Sequence, residues 1–348
     1  MTRILHFADL HLERSFGGLG MTLGEAERRR RELRSALERI VELALKMDVD
    51  AVTVAGDLYV HERATAETGR FIAGQLRRLA PRPVFLAPGN HDPFLHGSLY
   101  EGTEWPANVR IFKSMTWTPA TVGETYIWGA GHTDPCVQRN LMRDLRLQPS
   151  DTAIALLHGT ELGLACSNGA VYCPFDAADV ERSGAAFALL GHEHVLRLSP
   201  SRGARYAYPG SPEPLGFYTA GSHYVLLITA SRGSVSAEPI EVGRVCYRTE
   251  CIDVTGMGSA RDMERAIIQL AGSLGPAEIV RIVLGGRRDR GLSLDAAALQ
   301  AACGGHFRYL EIIDGTEPAW QETDARPDSR LLGRYAMPAA IRRPVVAS

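Results

Sequence analysis

The sequence contains very little lysine and no cysteine pattern that would bind zinc or build a disulfide framework. Lys46 and Lys113 are the only lysines among 38 basic residues, so arginine supplies nearly all of the positive charge. The six cysteines form no CxxC pair, and we therefore expect reduced thiols. The formal net charge of -2 argues against a protein that coats nucleic acid by bulk attraction, although it leaves room for local basic patches.

Membrane-spanning and ATP-binding patterns are also missing. No apolar run approaches the roughly 20 residues needed to cross a bilayer. The segment MTRILHFADLHL has the pattern of a strand instead of a signal peptide, so we expect a cytoplasmic protein. The chain has no G-x-x-x-x-G-K-[ST] loop to bind ATP phosphates. Its 348 residues, 45% of them hydrophobic, can form one large core and a smaller domain.

Short apolar runs alternate with helical patterns through the first two thirds of the chain, which is typical of an α/β domain. Strands are predicted at 4–8, 50–56 and 83–89, with helices at 25–47 and 64–79 between them. Three βα-type units are therefore predicted before residue 92.

The pattern between residues 108 and 243 predicts shorter elements. They are alternating strands within 108–131, a helix near 136–146, and buried strands at 152–159 and 185–192. The segments ARYAYPG, HYVLLITA and VSAEPIEV predict a closing antiparallel set.

After residue 243 the pattern begins again as a compact α/β unit. A strand, a glycine-bearing turn and a helix are followed by the strand EIVRIVLGG, a helix at 293–302 and the strand FRYLEIID. We therefore predict a catalytic domain at 1–243, a second domain at 244–316, and a tail at 317–348 that could dock a partner.

Five short segments place side chains that can bind metal directly after a predicted strand. They are Asp9-Leu10-His11, Gly56-Asp57, Gly89-Asn90-His91-Asp92, His158-Gly159 and Gly191-His192-Glu193-His194. Ligands of open α/β sheets bind outside the carboxyl ends of the strands, so five such loops can build one site. Carboxylates and neutral imidazoles suit Mn²⁺, Fe²⁺ or Zn²⁺, and one carboxylate can bridge two ions about 3.5–4 Å apart. The sequence thus predicts a two-metal site with Asp57 as the bridge.

This series of motifs, D-x-H, GD, GNHD, H and GHxH, resembles the calcineurin-like metallophosphoesterase superfamily over roughly residues 1 to 230. The resemblance implies a layered αββα sandwich followed by a smaller capping-type α/β domain. It also implies one metal held by Asp9, His11, Asp57 and His194, and a second metal held by Asp57, Asn90, His158 and His192. His91 would face the substrate as general acid or charge stabiliser, with Asp92 orienting its ring.

Further segments narrow the resemblance to one branch of that superfamily. ILHFADLHL, GDLY, PVFLAPGNHDP and YAYPGSPEPLGF, followed by a separate small α/β unit, are similar to the SbcD family of DNA-repair nucleases. The protein phosphatases instead carry Asp-Arg-Gly after the second motif, where this chain reads GDLYVHERAT. The SbcD resemblance implies exonuclease and structure-specific endonuclease activity on DNA with Mn²⁺, with Mg²⁺, Fe²⁺ or Zn²⁺ as alternatives. It also implies docking on an SbcC-like coiled-coil ATPase.

Candidate DNA contacts each have a purely structural alternative. His61 lies four residues after Asp57, whereas some relatives have a histidine three residues after the corresponding aspartate. The His61 side chain either assists phosphate or metal binding or is an ordinary surface side chain. Arg287, Arg288 and Arg290 of GGRRDRG either contact backbone phosphates or form a charged hairpin turn.

Side chains on two predicted helices also have both a functional and a purely structural interpretation. The run Arg28–Arg31 is either a solvated helix face or a DNA track. The apolar side chains of the next helix form either a homodimer seam or ordinary core; they are Phe71, Ile72, Leu76 and Leu79.

Three functions remain open from the sequence. The first is the DNA nuclease, and the second is a metallophosphoesterase of small nucleotides or cyclic phosphodiesters. The third is a DNA-end binding subunit with a vestigial site, against which the intact motif residues argue.

Overall fold

The computed structural model describes residues 1–148, 152–163, 170–199, 205–232, 234–275, 277–289 and 291–318. Its strands are β1 (Thr2–Phe7), β2 (Ala51–Ala55), β3 (Val84–Ala87), β4 (Val109–Ile111), β5 (Thr118–Val122), β6 (Thr125–Gly129), β7 (Ala153–His158), β8 (Phe187–Gly191), β9 (Arg197–Ser199), β10 (Tyr206–Tyr208), β11 (Tyr224–Ser231), β12 (Ser234–Glu241), β13 (Cys246–Asp253), β14 (Glu278–Gly285), β15 (Arg287–Arg288), β16 (Tyr309–Asp314) and β17 (Glu317–Pro318). Its α-helices are α1 (Leu23–Lys46), α2 (Ala66–Arg77), α3 (Leu99–Gly102), α4 (Leu141–Asp144), α5 (Ala177–Arg182), α6 (Ala260–Ala271) and α7 (Ala296–Cys303).

Two six-stranded sheets form the centre of the molecule. The first has the order β12-β11-β1-β2-β3-β4, in which β1 to β4 are parallel and β11 is antiparallel to β1. The second has the order β5-β6-β7-β8-β10-β9, with β6, β7, β8 and β10 parallel. The predicted closing antiparallel set is therefore wrong in part, because β10 joins the second sheet while β11 and β12 extend the first.

The sheets pack face to face, and helices cover both outer faces. Strand side chains alternate between the two faces. Ile4 of β1 lies between the sheets with Ile154 of β7, whereas Leu5 faces the core that includes α1. The outer face of the second sheet packs against α4 and α5 through Leu141 and Val180. These layers confirm the predicted αββα sandwich.

Helix α1 begins at a side-chain cap and buries one full face. The Thr22 hydroxyl accepts a hydrogen bond from the Glu25 backbone N–H at 3.2 Å, which satisfies one of the free N–H groups of the first turn. The buried face consists of Ala26, Arg29, Leu33, Ala36, Leu37, Ile40, Val41 and Ala44.

Arg29 fits neither of the two alternatives for Arg28–Arg31, a solvated helix face or a DNA track. Its side chain is fully buried, donates to the Pro214 carbonyl at 2.8 Å and forms an ion pair with Glu32. The guanidinium also lies 5.3 Å from the centre of the Phe16 ring. Arg29 follows the same helical spacing as Leu33, so it points to the core while Arg28 remains exposed.

The structure corrects one predicted helix and decides between two alternatives for another. The helix predicted near 136–146 is a single turn, since the Asp134 carboxylate accepts from Cys136 N–H in a local turn and Asn140 caps α4 through Arg143 N–H. Of the two alternatives for the apolar side chains of the next helix, ordinary core holds for Ile72, Leu76 and Leu79, because they are fully buried.

The chain after β12 forms a smaller unit whose parallel sheet has the order β13-β14-β16. Helices α6 and α7 cover one face through Met263, Ile267 and Leu299. Arg308 fixes this unit to α1 because its guanidinium donates to Glu25 at 2.7 Å and to Glu32 at 2.9 Å. The boundaries 244–316 stay a prediction, and the tail lies outside the described residues beyond Pro318.

No helix in the described part of the chain combines the length and apolarity needed to span a membrane.

Candidate metal centre

All five predicted motif loops meet at one edge of the sandwich. The parallel strands β1, β2 and β3 end at this edge of the first sheet, and β7 and β8 end at the facing edge of the second. Backbone hydrogen bonds connect the first two loops, from Asp9 N–H to Gly56 O at 3.1 Å and from His11 N–H to Asp57 O at 2.8 Å. The loops that follow the carboxyl ends of the strands in both sheets therefore direct their side chains into one space.

Four of the predicted ligands have a left-handed backbone. The φ angles are 54° at Asp9, 50° at His11, 54° at Asp57 and 104° at His192. Residues other than glycine rarely adopt this region, because the Cβ atom clashes with the backbone. Strain of this kind persists where the surrounding structure holds it, and it is concentrated at functional sites.

Two glycines allow the loops to approach this closely. Gly56 has φ of 77°, and a Cβ atom there would lie 2.6 Å from His158 Nδ1. A Cβ on Gly191 would overlap the Ala55 carbonyl oxygen, which belongs to the other sheet. A side chain at either position would therefore push these loops apart.

The first predicted ligand group is assembled around Asp9 and Asp57. His11 Nε2 lies 3.5 Å from Asp57 Oδ2 and 4.0 Å from Asp9 Oδ1, and His194 Nε2 lies 3.7 Å from Asp9 Oδ1. The two Nε2 atoms of His11 and His194 are 3.2 Å apart. Ligand atoms bound to one ion at about 2.0–2.2 Å are separated by about 3–3.5 Å, so this spacing suits a cation.

The second group shares Asp57 with the first. His158 Nε2 lies 3.5 Å from the same Asp57 Oδ2 atom and 2.9 Å from Asn90 Oδ1. The His192 ring packs edge-on against His158 with ring centres 5.3 Å apart. All seven predicted metal ligands therefore lie in one buried cluster.

The donor chemistry of these residues fits divalent cations. His158 Nδ1–H donates to the Ala55 carbonyl at 2.8 Å, so Nε2 carries the lone pair that points toward the Asn90 and Asp57 oxygens. His192 Nε2–H donates to Ala170 O at 3.0 Å, and its buried Nδ1 has no hydrogen-bond partner among the described residues. A carbonyl partner of this kind orients a metal-binding imidazole.

Burial sets the protonation of the histidines in this cluster. It lowers the pKa of His158 and of His194 to about 3 each, and it lowers the pKa of His11 well below the ordinary value. All three rings are therefore neutral at pH 7, which is the form that binds metal. Burial and the neighbouring Asp57 raise the pKa of Asp9, and a bound cation would favour its ionised form.

His91 and Asp92 have different surroundings. The His91 side chain is exposed beside the ligand groups, and its backbone N–H donates to Asp57 Oδ1 at 2.9 Å. Asp92 is fully buried and accepts from Asp57 N–H, Leu58 N–H, Gly89 N–H and Tyr100 Oη–H at 2.7 to 2.9 Å. Asp92 makes no hydrogen bond to the His91 ring within the described residues. It connects the second and third loops, which corrects the prediction that it orients His91.

The predicted DNA contacts lie in separate places. His61 is half-buried, and its backbone N–H donates to His91 O at 2.9 Å, so it lies in a loop adjoining the site. Arg287 and Arg288 form β15, which pairs with β17 instead of forming a hairpin turn. Arg290 lies outside the described residues.

Several residues at the site were not predicted from the sequence. His132 is buried behind His158 and donates from Nε2 to the His158 carbonyl at 2.8 Å. Arg14, Tyr172 and Tyr218 line the open side, where they share a pocket with His91. They belong to segments without a metal-binding motif, and for Tyr218 the only signal in the sequence was the PLGF segment that precedes it.

These layers and this cluster define a phosphoesterase-type sandwich with a candidate metal centre. The family model for calcineurin-like phosphoesterases matches residues 2–196, more than half of the chain, and the chain belongs to this family. It is therefore a metal-dependent phosphoesterase, as the motifs predicted.

Curated relatives include an uncharacterized metallophosphoesterase, DNA double-strand break repair proteins and a nuclease subunit. The uncharacterized metallophosphoesterase YhaO of Bacillus subtilis is 27% identical over 90% of this chain and 77% of its own length. The DNA double-strand break repair protein Mre11 of Aeropyrum pernix is 30% identical over 74% of this chain, which spans 65% of that relative. A subunit of the nuclease SbcCD from Rhodobacter capsulatus is 34% identical over 26% of this chain and 22% of its own length.

Solved structures are more distant. A dimetal phosphatase from Danio rerio has 12% identity over 69% of this chain and 98% of its own, with a TM-score of 0.37. The protein TT1561 of Thermus thermophilus has 14% identity over 65% of this chain and 93% of its own, with a TM-score of 0.36.

Proposed function

We propose that the chain is a two-metal DNA phosphodiesterase of the SbcD type, an exonuclease and structure-specific endonuclease in DNA repair or end processing. One observation carries this proposal. Asp57 Oδ2 lies 3.5 Å from His11 Nε2 and 3.5 Å from His158 Nε2, so a single carboxylate faces both ligand groups. Such an arrangement suits two cations that share one aspartate.

The relatives support DNA as the substrate, because their names describe DNA double-strand break repair and nuclease activity. By the same likeness we propose an SbcC-like coiled-coil ATPase as partner and the tail 317–348 as its docking segment. The unit at 244–316 would then act as a capping-type domain. The net charge of -2 implies that DNA binding depends on local contacts and not on overall attraction.

In this proposal some residues bind the two cations and another donates a proton. Two bound cations, Mn²⁺ in this proposal, would lower the pKa of a water molecule and bind the oxygens of the phosphoryl group. One would be held by Asp9, His11, Asp57 and His194, and the other by Asp57, Asn90, His158 and His192. His91, exposed between the cluster and solvent, would give a proton to the leaving oxygen.

The test is cleavage of labelled duplex and hairpin DNA by the full chain with Mn²⁺. His91→Ala should reduce the cleavage rate by about 10²-fold or more, because it removes the proton donor. Asp57→Ala should abolish cleavage because both ligand groups lose their shared carboxylate. His96→Ala is the matched control, since His96 is an exposed histidine that pairs with Glu101.

Two outcomes would contradict the proposal in different ways. Turnover of nucleotides or cyclic phosphodiesters without DNA cleavage would assign the chain to small phosphoesters. DNA-end binding without turnover of any ester would assign it to the class of binding subunits.

A further inference from the structure

A pocket of about 400 Å³ opens directly beside the candidate metal centre. Its lining includes Arg14, His91, Tyr172, His194 and Tyr218. His91 and His194 belong to the motifs, whereas the arginine and the two tyrosines have no role in them. The volume lies within the range of about 300–1,000 Å³ found for small-molecule sites.

Arg14 has no anionic partner among the residues that the structure describes. Its Nη2 donates to the Tyr218 hydroxyl at 3.1 Å, and its buried Nε has no hydrogen-bond partner among the described residues. No carboxylate of the described chain lies within ion-pair distance of Arg14, whereas the neighbouring Arg34 pairs with both Glu13 and Glu67. A guanidinium held in a pocket in this way suits two oxygens of a phosphate.

The two tyrosines stand beside different ligand groups. The Tyr218 ring lies 6.0 Å from the His194 ring, and the Tyr172 ring lies 5.6 Å from the His192 ring. Tyr218 is 43% exposed although it lies beside a buried cluster, so part of its side chain is accessible to a ligand in the pocket. Nucleobases stack on aromatic side chains of this kind without regard to sequence.

Packing holds Tyr218 in place from behind. The preceding residue, Phe217, stacks under the Arg281 guanidinium at 4.0 Å and packs edge-on against Tyr247 at 5.0 Å. Both of these partners belong to the smaller unit. Tyr218 is therefore presented to the pocket by a segment that the smaller unit fixes.

We propose that this pocket is a nucleotide subsite, in which Arg14 binds the phosphate and Tyr218 and Tyr172 bind the attached nucleoside. The inference rests on the proposed function and adds that the substrate presents one unpaired nucleotide to the metal centre. A phosphodiester without a nucleoside would bind the cations but would make no stacking contact with the tyrosines.

Two esters with the same reacting centre and leaving group test this subsite. They are the p-nitrophenyl ester of thymidine 5′-phosphate and methyl p-nitrophenyl phosphate, both assayed with Mn²⁺. The wild type should prefer the nucleotide in kcat/KM by about tenfold or more. Tyr218→Ala should remove most of that preference, whereas Tyr218→Phe should keep it. Tyr126→Ala is the matched control, since Tyr126 is an equally exposed tyrosine (48%) on β6.

Arg14 is tested by binding as well as by turnover. Arg14→Ala should raise the Kd for thymidine 5′-monophosphate, measured by calorimetry, by about tenfold or more. Arg14→Lys should recover only part of the loss because the fork of two donors is missing. Arg70→Ala is the control, since Arg70 is exposed on α2.

The outcomes separate this subsite from the proposed function. Equal kcat/KM for both esters, or thymidine monophosphate binding that Arg14→Ala leaves unchanged, would overturn the subsite while phosphodiesterase activity stands. Hydrolysis of neither ester, with monophosphate binding that depends on Arg14, would overturn the proposed function and support the subsite.

Discussion

At the scale of single residues, hydrogen bonds to buried carboxylates hold the loops and helices of this protein together. Asp92 is the example at the site. Its carboxylate accepts hydrogen bonds from three backbone N–H groups of two loops and from the Tyr100 hydroxyl. Asp179 plays a comparable role on the outer layer of the second sheet. It accepts from Asn140 Nδ2 at 2.7 Å, from Asp176 N–H at 3.1 Å and from Arg182 at 2.6 Å.

These donors make Asp179 a source of pH-dependent stability. Burial raises its pKa, but hydrogen bonds from Asn140, Asp176 and Arg182 outweigh that effect and lower the pKa to about 2. Because the folded pKa lies below the unfolded value, the stabilisation is present above about pH 4 and is lost as the pH falls toward 2. We expect Asp179→Asn to reduce the free energy of unfolding by about 1–2 kcal/mol at pH 7 and by progressively less below pH 4.

Urea unfolding at pH 7, 5, 4 and 3 measures this difference. Asp144→Asn is a suitable control because Asp144 is a more exposed carboxylate on α4. A difference between wild type and Asp179→Asn that stays constant over this range would contradict the assignment.

The sequence predicted which side chains converge at this edge of the sandwich, whereas it did not predict their backbone conformations. Asp9, His11, Asp57 and His192 stand in short motifs behind apolar runs, which placed them at strand ends. Their left-handed backbones occur in loops that hydrogen-bond to segments distant in sequence, as Asp9 does to Gly56 and His11 does to Asp57. Arg14 was missed for the same reason, since its partner Tyr218 is 204 residues away.

At the scale of elements, the junction between a strand and its loop decides where each ligand lies. Gly56 directly follows β2, Gly89 lies just after β3, and Gly191 ends β8. Strand positions and helix α1 followed from hydrophobic periodicity, because period two and period 3.6 are local properties. The place of β10 in the second sheet could not be predicted in this way, because its pairing with β8 depends on tertiary packing.

The junction at Gly56 can be tested with a matched pair of glycines. Gly56→Ala places a Cβ atom 2.6 Å from His158 Nδ1 at a φ of 77°, so the loop must shift and metal affinity should fall by at least about tenfold. Gly74→Ala is the control, because Gly74 lies within α2 with no atom within 4 Å of the added Cβ. That change should increase stability by about 0.5–1 kcal/mol.

Calorimetric titration with Mn²⁺ and thermal unfolding of both variants provide the two measurements. Wild-type affinity in Gly56→Ala would show that the close approach of these loops is not needed for metal binding.

At the scale of the whole molecule, the two sheets serve as a frame that brings five loops to one edge. β1, β2 and β3 contribute the motifs of the first 92 residues, and β7 and β8 contribute the rest across the sandwich interface. The small unit is tied to α1 through Arg308 and to the pocket through Arg281 and Phe217. The αββα layering could be predicted from the order of elements and the family resemblance together, whereas the attachment of the small unit depends on buried charges that local patterns do not reveal.

The most direct test is a crystal structure of the protein grown with Mn²⁺, with an anomalous difference map at the manganese edge. We predict two peaks about 3.5–4 Å apart, both within bonding distance of the Asp57 carboxylate. A single peak, or a pair of peaks of which neither contacts Asp57, would contradict the two-metal centre.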